Sequence, residues 1–311
     1  MLFILLGPTA SGKERIALEL AGRMNAEILS VDSMKIYRGL DIGTAKASAG
    51  DRALRPHHGL DIAHPDETFS VAQYAAAAER ILADIRSRNR PAILSGGTAL
   101  YYMALLQGLF DGPGRDDGLR ARLEAMAAGG EPERLWRMLS GRDAAAAGRI
   151  HPNDTRRLIR ALEVLELSGR PISSLQGQWE NRWRHSRHAF RMVRLAWPRA
   201  LLRQRISARL ERMRREGLLE EARGVWERRE AMAAAPLQAV AYKEFFPFFG
   251  GLEPEEAAWE RLRRGTTRLA KAQETWFKRF PAVPIACHEL PPAEPGFCAA
   301  AADAISRAWG I

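Results

Sequence analysis

Four groups of residues in this chain have the types and spacings that hold phosphate and move a proton. Gly7-Pro8-Thr9-Ala10-Ser11-Gly12-Lys13 follows the apolar run Leu2–Leu6. A G-x-x-x-x-G-K stretch after such a run wraps backbone N–H groups round an anion, aims a helix N-terminus at it and adds the point charge of a lysine. Such loops normally continue with Ser or Thr, whose hydroxyl ligates Mg2+. Here the next residue is Glu14. Asp32-Ser33 ends a second short run, Glu27–Val31, and Gly96-Gly97-Thr98 ends a third, Pro91–Ser95. A carboxylate at such a rim can serve as a general base. Asp-Ser is equally a common turn former. Arg209 sits at the edge of a stripe in which Leu202, Ile206, Leu210 and Met213 recur at helical spacing. An arginine there either meets an anion or runs its stem past the core to solvent.

Those groups need elements to carry them. Leu2–Leu6, Glu27–Val31 and Pro91–Ser95 read as buried parallel strands. Lys13–Met24, with Ile16, Leu20 and Met24 on one face, and Val71–Arg88, with Ala78, Ile81, Leu82 and Ile85, read as helices. Alternation of this kind predicts a parallel α/β sheet, and ligands of such sheets bind at the carboxyl ends of strands. The phosphate loop, Asp32 and Thr98 all fall at such ends. From Gly112-Pro113-Gly114 to about Asn181 the pattern turns helical; Arg191–Trp197 reads as a returning strand, with helices over Arg199–Glu216 and Glu255–Phe280 after it. The expected fold is α/β: a P-loop NTPase-like parallel sheet core from residues 1–111 and 191–311, with a helical insertion domain at 112–190.

Composition narrows the partners. The 311 residues are 46% hydrophobic and 27% charged, ordinary for a globular chain, but the net charge of +10 favours polyanions. The excess is concentrated: Arg182 to Arg215 holds twelve arginines and one acid, Glu211. Two cysteines, Cys287 and Cys298, are too few for a disulfide scaffold or a four-cysteine zinc site. No apolar run approaches a membrane span, and Leu2–Leu6 is too short and lacks the basic leader of a signal segment. A cytoplasmic protein without a membrane partner is expected.

The longer motifs resemble the bacterial tRNA dimethylallyltransferases, also called tRNA isopentenyltransferases. The similarity rests on GPTASGK at 7–13, SVDSMKIYRGLDIGTAK at 30–46, PHH at 56–58, GGTALYYMALLQG at 96–108, RIHPNDTRRLIRALEV at 149–164, RISARLERM at 205–213, GLLEE at 217–221 and TRLAKAQETWF at 267–277. The first is shared with many nucleotide-binding proteins; the second and fifth are far more specific. The resemblance implies transfer of a dimethylallyl group from dimethylallyl diphosphate to N6 of adenosine 37, beside the anticodon. It implies a tRNA anticodon stem-loop as partner, Mg2+ as cofactor and, in our expectation, a monomer. Gly7 to Glu14 would hold the diphosphate, Lys13 and Arg209 would stabilise it as it leaves, Asp32 would take the N6 proton, and Thr98 would contact the base or orient Asp32. The tRNA-contacting positions it implies are Asp32, Ser33, Met34, Lys35, Thr98, Arg120, Arg156, Arg157, Leu158, Ile159, Arg160, and Gln238 to Lys243 including Tyr242. On spacing alone, Arg156 and Arg160 share a helix face suited to adjacent phosphates, yet Glu163 can also pair with Arg160 in a solvated charged face.

The chain departs from the family pattern at Glu14, where Thr or Ser is usual, at Lys35, usually Gln or another uncharged residue, at Ala241 for Gly, and at Ala272 for Arg. Two other readings share some features. A small-molecule P-loop kinase has the ATP-binding motif and the sheet, but no Walker-B-type strand beyond Asp32 is evident here. A non-catalytic RNA-binding protein, disabled at Glu14, would keep the arginines and lose the transfer.

Overall fold

The computed structural model describes residues 1–109, 112–129, 133–175, 183, 186–290 and 296–311. Six strands form one sheet: β1 (Leu2–Leu6), β2 (Glu27–Ser30), β3 (His57–His58), β4 (Ala92–Gly96), β5 (Phe190–Ala196) and β6 (Val283–Ala286). All pair in parallel, in the order β3-β2-β4-β1-β5-β6. β1 is buried at every residue, as a run with no polar face must be, and it lies between β4 and β5. The sequence pattern does not predict β3 or β6, and both are edge strands. β3 has only two residues; β6 contains Pro284, which cannot donate to a ladder and is confined to an edge.

The longer helices are α1 (Lys13–Met24), α2 (Val71–Ser87), α3 (Asp117–Ala128), α4 (Thr155–Ser168), α5 (Arg199–Arg215), α6 (Leu218–Glu227), α7 (Glu255–Phe277) and α8 (Gly296–Trp309). α2 starts from a capping box, with the Ser70 side chain accepting from the Gln73 N–H and the Gln73 side chain returning the bond. α1 has no such cap. Its N-cap is Gly12 in the left-handed region, so no side chain occupies the first-turn amides. α1 and α8 pack Ile16, Leu20, Ala301 and Ile305 with Phe3, Leu5 and Val193 of the sheet in one apolar core.

The chain divides into two compact units, Met1–Leu106 with Arg187–Ile311, and Gln107–Ser186. The first contains the sheet. The second is helical, and Leu119, Leu123, Leu135, Leu139, Leu158 and Leu162 make its core. Of the basic run Arg182 to Arg215, Arg182 and Arg184 lie outside the described residues. No described helix is long and apolar enough to cross a membrane.

Candidate active site

The phosphate loop leaves β1 at its carboxyl end and is held from outside. Trp197 donates its indole N–H to Ser11 O (3.1 Å), and Arg205 donates Nε–H to Ala10 O (2.9 Å) while its guanidinium lies 4.4 Å from the Trp197 ring centroid. Gln273 ties two rims together: Oε1 accepts from the Thr9 N–H (2.8 Å) and Nε2 donates to Gly97 O (3.1 Å). A Cβ at Gly7 would lie 2.5 Å from Ser11 Oγ and 3.2 Å from Ser11 Cβ, so any side chain there would displace Ser11 within the loop. Arg205 and Gln273 thus both brace the loop, a role that neither shows in local sequence.

Asp32 follows β2. Its Oδ1 accepts from the N–H groups of Met34 (2.9 Å) and Lys35 (3.4 Å), so the turn-forming role is real, and it leaves Oδ2 without a hydrogen bond among the described residues. No hydrogen bond joins Thr98 to Asp32 among the described residues. Its Oγ1 accepts from the Ser33 N–H (3.0 Å) and donates to Ser33 Oγ (3.2 Å), fixing the turn from the next strand. Downstream, the Glu221 carboxylate of α6 accepts from three consecutive amides, Asp41 (2.9 Å), Ile42 (2.9 Å) and Gly43 (2.8 Å). Those amides have no ladder partner, and one carboxylate satisfies all of them. Losing half of that acceptor set in Glu221→Gln should lower unfolding free energy by about 2 kcal/mol, read as a drop in the urea midpoint at unchanged slope.

One cavity of about 110 Å3 gathers these elements. Its lining includes Lys13, Glu14, Asp32, Lys35 and Arg209 on the polar side, and Leu210, Met213, Val240, Leu262 and Leu269 on the apolar side. Lys13 is 7% exposed, and burial pulls its pKa down to about 8, with Glu14 the strongest influence in the other direction. Burial also lowers the Arg209 pKa, although a guanidinium keeps its charge at neutral pH. Burial alone would raise the Glu14 carboxyl; Lys35 and then Lys13 outweigh it and hold the group below its ordinary value. The geometry explains why. Lys35 Nζ is 2.9 Å from Glu14 Oε1, and Lys13 Nζ is 4.0 Å from the same atom.

The resemblance implies Mg2+, and this pair tests whether the residues suit it. A divalent ion on Glu14 would sit beside an ammonium already 2.9 Å from the carboxylate, with a second at 4.0 Å. Like charges that close in a buried site oppose binding strongly. The residues present do not fit a metal held at position 14. Among the described residues no group of three His, Cys, Asp or Glu side chains could hold one either.

Several residues expected to meet RNA have other employment. Tyr242 is 0% exposed and donates its hydroxyl to Glu221 Oε1 (2.8 Å), bracing that carboxylate; Lys243 beside it is half-buried. In the helical unit, Leu158 and Ile159 are core residues and offer no side chain to a ligand. Arg120 and Arg160 both bond the fully buried Glu163, Arg120 at 2.7 and 2.9 Å and Arg160 at 2.6 Å, and the Asp116 N–H adds a fourth bond at 2.9 Å. Glu163 is therefore the hub of a structural ion-pair network rather than a solvated neighbour. Arg156 and Arg157 are exposed on α4, Arg157 within 3.4 Å of Asp154. Met34 lines the cavity, and Ser33 is held by Thr98.

Comparison with known proteins places the chain in a family. The IPP transferase family matches residues 35–280. A tRNA dimethylallyltransferase of Geobacter metallireducens is 42% identical over 280 residues, 89% of each chain, and one of Chloroflexus aurantiacus is 42% identical over 90% of this chain and 93% of that one. The crystal structure of a full-length tRNA isopentenylpyrophosphate transferase from Bacillus halodurans superposes with a TM-score of 0.71 at 34% identity, covering 99% of this chain and 96% of that one. A eukaryotic dimethylallyltransferase acting on tRNA, 24% identical over 89% of this chain and 69% of that one, shares the fold with a TM-score of 0.70. These likenesses span both units and leave no place for a small-molecule kinase. The chain belongs to the IPP transferase family, the tRNA-prenylating transferases built on a P-loop NTPase-like sheet.

Proposed function

We propose that this chain transfers a dimethylallyl group from dimethylallyl diphosphate to N6 of adenosine 37 in tRNA, giving N6-(dimethylallyl)adenosine. The observation that supports this reading is the composition of one cavity wall: three cations, two carboxylates of which Asp32 keeps an oxygen without a hydrogen bond among the described residues, and a run of branched and thioether side chains. An allylic diphosphate needs that combination. The C1–O bond breaks with its electrons going to the diphosphate, and Lys13, Lys35 and Arg209 stabilise the charge that develops there. The apolar side accepts the five-carbon chain and keeps water from the allylic carbon. N6 donates its lone pair to C1, and its proton passes to Asp32 Oδ2. The base reaches the cavity by leaving the anticodon stack, as enzymes that modify bases require. Mg2+ enters this reading only as a counter-ion of free diphosphate, with no protein ligand assigned. We take the chain to work as a monomer in the cytoplasm, where its tRNA is.

The test is a transfer assay read by nucleoside mass spectrometry. It uses the purified chain, dimethylallyl diphosphate, Mg2+ and an unmodified anticodon stem-loop with adenosine at position 37. A mass gain of one isoprenoid unit on adenosine is expected. A stem-loop that binds but gains no mass would instead leave an RNA-binding protein.

A further inference from the structure

Two departures from the family pattern, Glu14 and Lys35, lie 21 residues apart in sequence and touch in the structure. Lys35 is 5% exposed, Glu14 is the second residue of α1, directly after the loop lysine, and both line the cavity. The Lys35 ammonium has three donors and lies 2.9 Å from Glu14 Oε1 as an ion pair, without hydrogen-bond alignment, and no other acceptor engages it among the described residues. A buried ion pair contributes little to stability over an apolar pair of the same size, so folding alone does not account for this one. A ligand does.

We propose that Lys35 is a diphosphate ligand, a cation tethered to the protein that stands in for a metal ion at the loop, and that Glu14 is the residue that positions it. This rests on reading the cavity as a diphosphate site. The location argues for it. In loops of this type the residue after the lysine presents a hydroxyl to Mg2+, and the Mg2+ bridges to the phosphate oxygens. Here position 14 presents a carboxylate, and the cation it holds is the Lys35 ammonium. Charge argues for it as well. Lys13, Lys35 and Arg209 against Glu14 and Asp32 leave the cavity at +1. With an uncharged residue at both 14 and 35, Lys13 and Arg209 against Asp32 also leave +1. The two departures together leave the net charge at this site unchanged, whereas either alone would shift it by one unit. Glu14 also keeps Lys35 from facing Lys13 and Arg209 as a third uncompensated buried cation. The Asp32 side chain contributes by receiving the Lys35 N–H, which sets the backbone from which the ammonium reaches. An ammonium is a compact point charge that need not be recruited from solution, although it bonds a phosphate one donor at a time. The expected signature is diphosphate binding that changes little with Mg2+.

The experiment is titration calorimetry of inorganic diphosphate into the full-length chain, in EDTA and in millimolar Mg2+. The wild type should bind in EDTA, with Mg2+ changing Kd by less than about threefold. Lys35→Met should weaken binding in EDTA by about tenfold or more. That variant strands Glu14, so a second one removes both charges: Glu14→Thr with Lys35→Gln keeps the cavity at +1. The double variant should bind weakly in EDTA and recover by about tenfold or more when Mg2+ is added. A wild type that binds diphosphate only with Mg2+ overturns the proposal. So does a folded double variant whose affinity in EDTA equals that of the wild type. Diphosphate binding as expected with no transfer to the stem-loop would sink the prenyl-transfer reading and leave this one standing.

Discussion

Replacing Asp32 by Asn should lower the rate of prenyl transfer by about 10³-fold, while anticodon stem-loop affinity stays within about threefold. A positioned general base contributes roughly 10²–10⁴ in rate, and the exocyclic amine of adenine loses its proton only if something accepts it. Asn is the informative substitution because of the turn. Asp32 Oδ1 receives the Met34 and Lys35 amides, and an Asn oxygen can keep both. The free Oδ2 is what changes, from a proton acceptor to an amide nitrogen. Asp32→Ala would lose the turn as well, and its defect would mix loss of the base with displacement of Lys35. Single-turnover kinetics with saturating donor, beside a binding isotherm for the stem-loop, checks the split. Transfer within tenfold of wild type would remove Asp32 from the proton-transfer step.

The second large effect is on stability and belongs to the helical unit. Glu163→Gln should destabilise it by about 3 kcal/mol, because removing one member of a buried ionic network leaves its partners unmatched. Glu163 is 0% exposed and receives four bonds, from two arginines and a backbone amide. Burial opposes its charge, yet Arg120, Arg160 and the Asp116 amide win and hold its pKa down to about 2. The sign of the pH effect follows. The unfolded chain binds this proton near the ordinary value of 4.5, the folded one near 2. The stabilisation is therefore complete above about pH 4.5 and fades as pH falls towards 2. Amide exchange of α4 in the full-length chain reads this directly. Protection should fall across that window in the wild type, and Glu163→Gln should show lower protection at neutral pH with the slope flattened. Equal slopes in the two proteins would mean that the network does not govern this unit.

The contrast between the two units shows what a sequence can carry. β1, the phosphate loop and α1 are legible because one short segment fixes all three: an apolar run, glycines at set spacing, and a lysine opening an amphipathic stretch. Asp32 and Thr98 are legible as rim residues, because each directly follows a buried run. Side-chain partners are less accessible. Arg160 and Glu163 are three residues apart, so their pairing can be seen, but Arg120 arrives from another helix and turns the pair into a buried hub. Both arginines are thus engaged within the protein, a partnership that spacing along one helix does not reveal. Tyr242 lies in a stretch that faces tRNA by resemblance, yet Glu221, 21 residues earlier, draws it inward. Glu14 and Lys35 each look like an isolated anomaly until the fold brings them to 2.9 Å. Gln273 and Arg205 brace a loop 264 and 195 residues away in sequence, and no local pattern encodes that. β6 is hidden by Pro284, whose missing donor matters little at an edge.

Gly96 marks a limit on how this enzyme can work. A Cβ there would lie 2.0 Å from Val31 O, and the strands remain laced past their ends by Val31 N–H to Ser95 O (2.9 Å) and Thr98 N–H to Val31 O (3.1 Å). The rim carrying Asp32 is thus welded to its neighbour strand, with the Thr98–Ser33 bonds as a second seam. A base mounted so firmly does not travel to meet its nucleophile. In the proposed reaction the nucleotide, and not the carboxylate, makes the journey that brings N6 and Asp32 together.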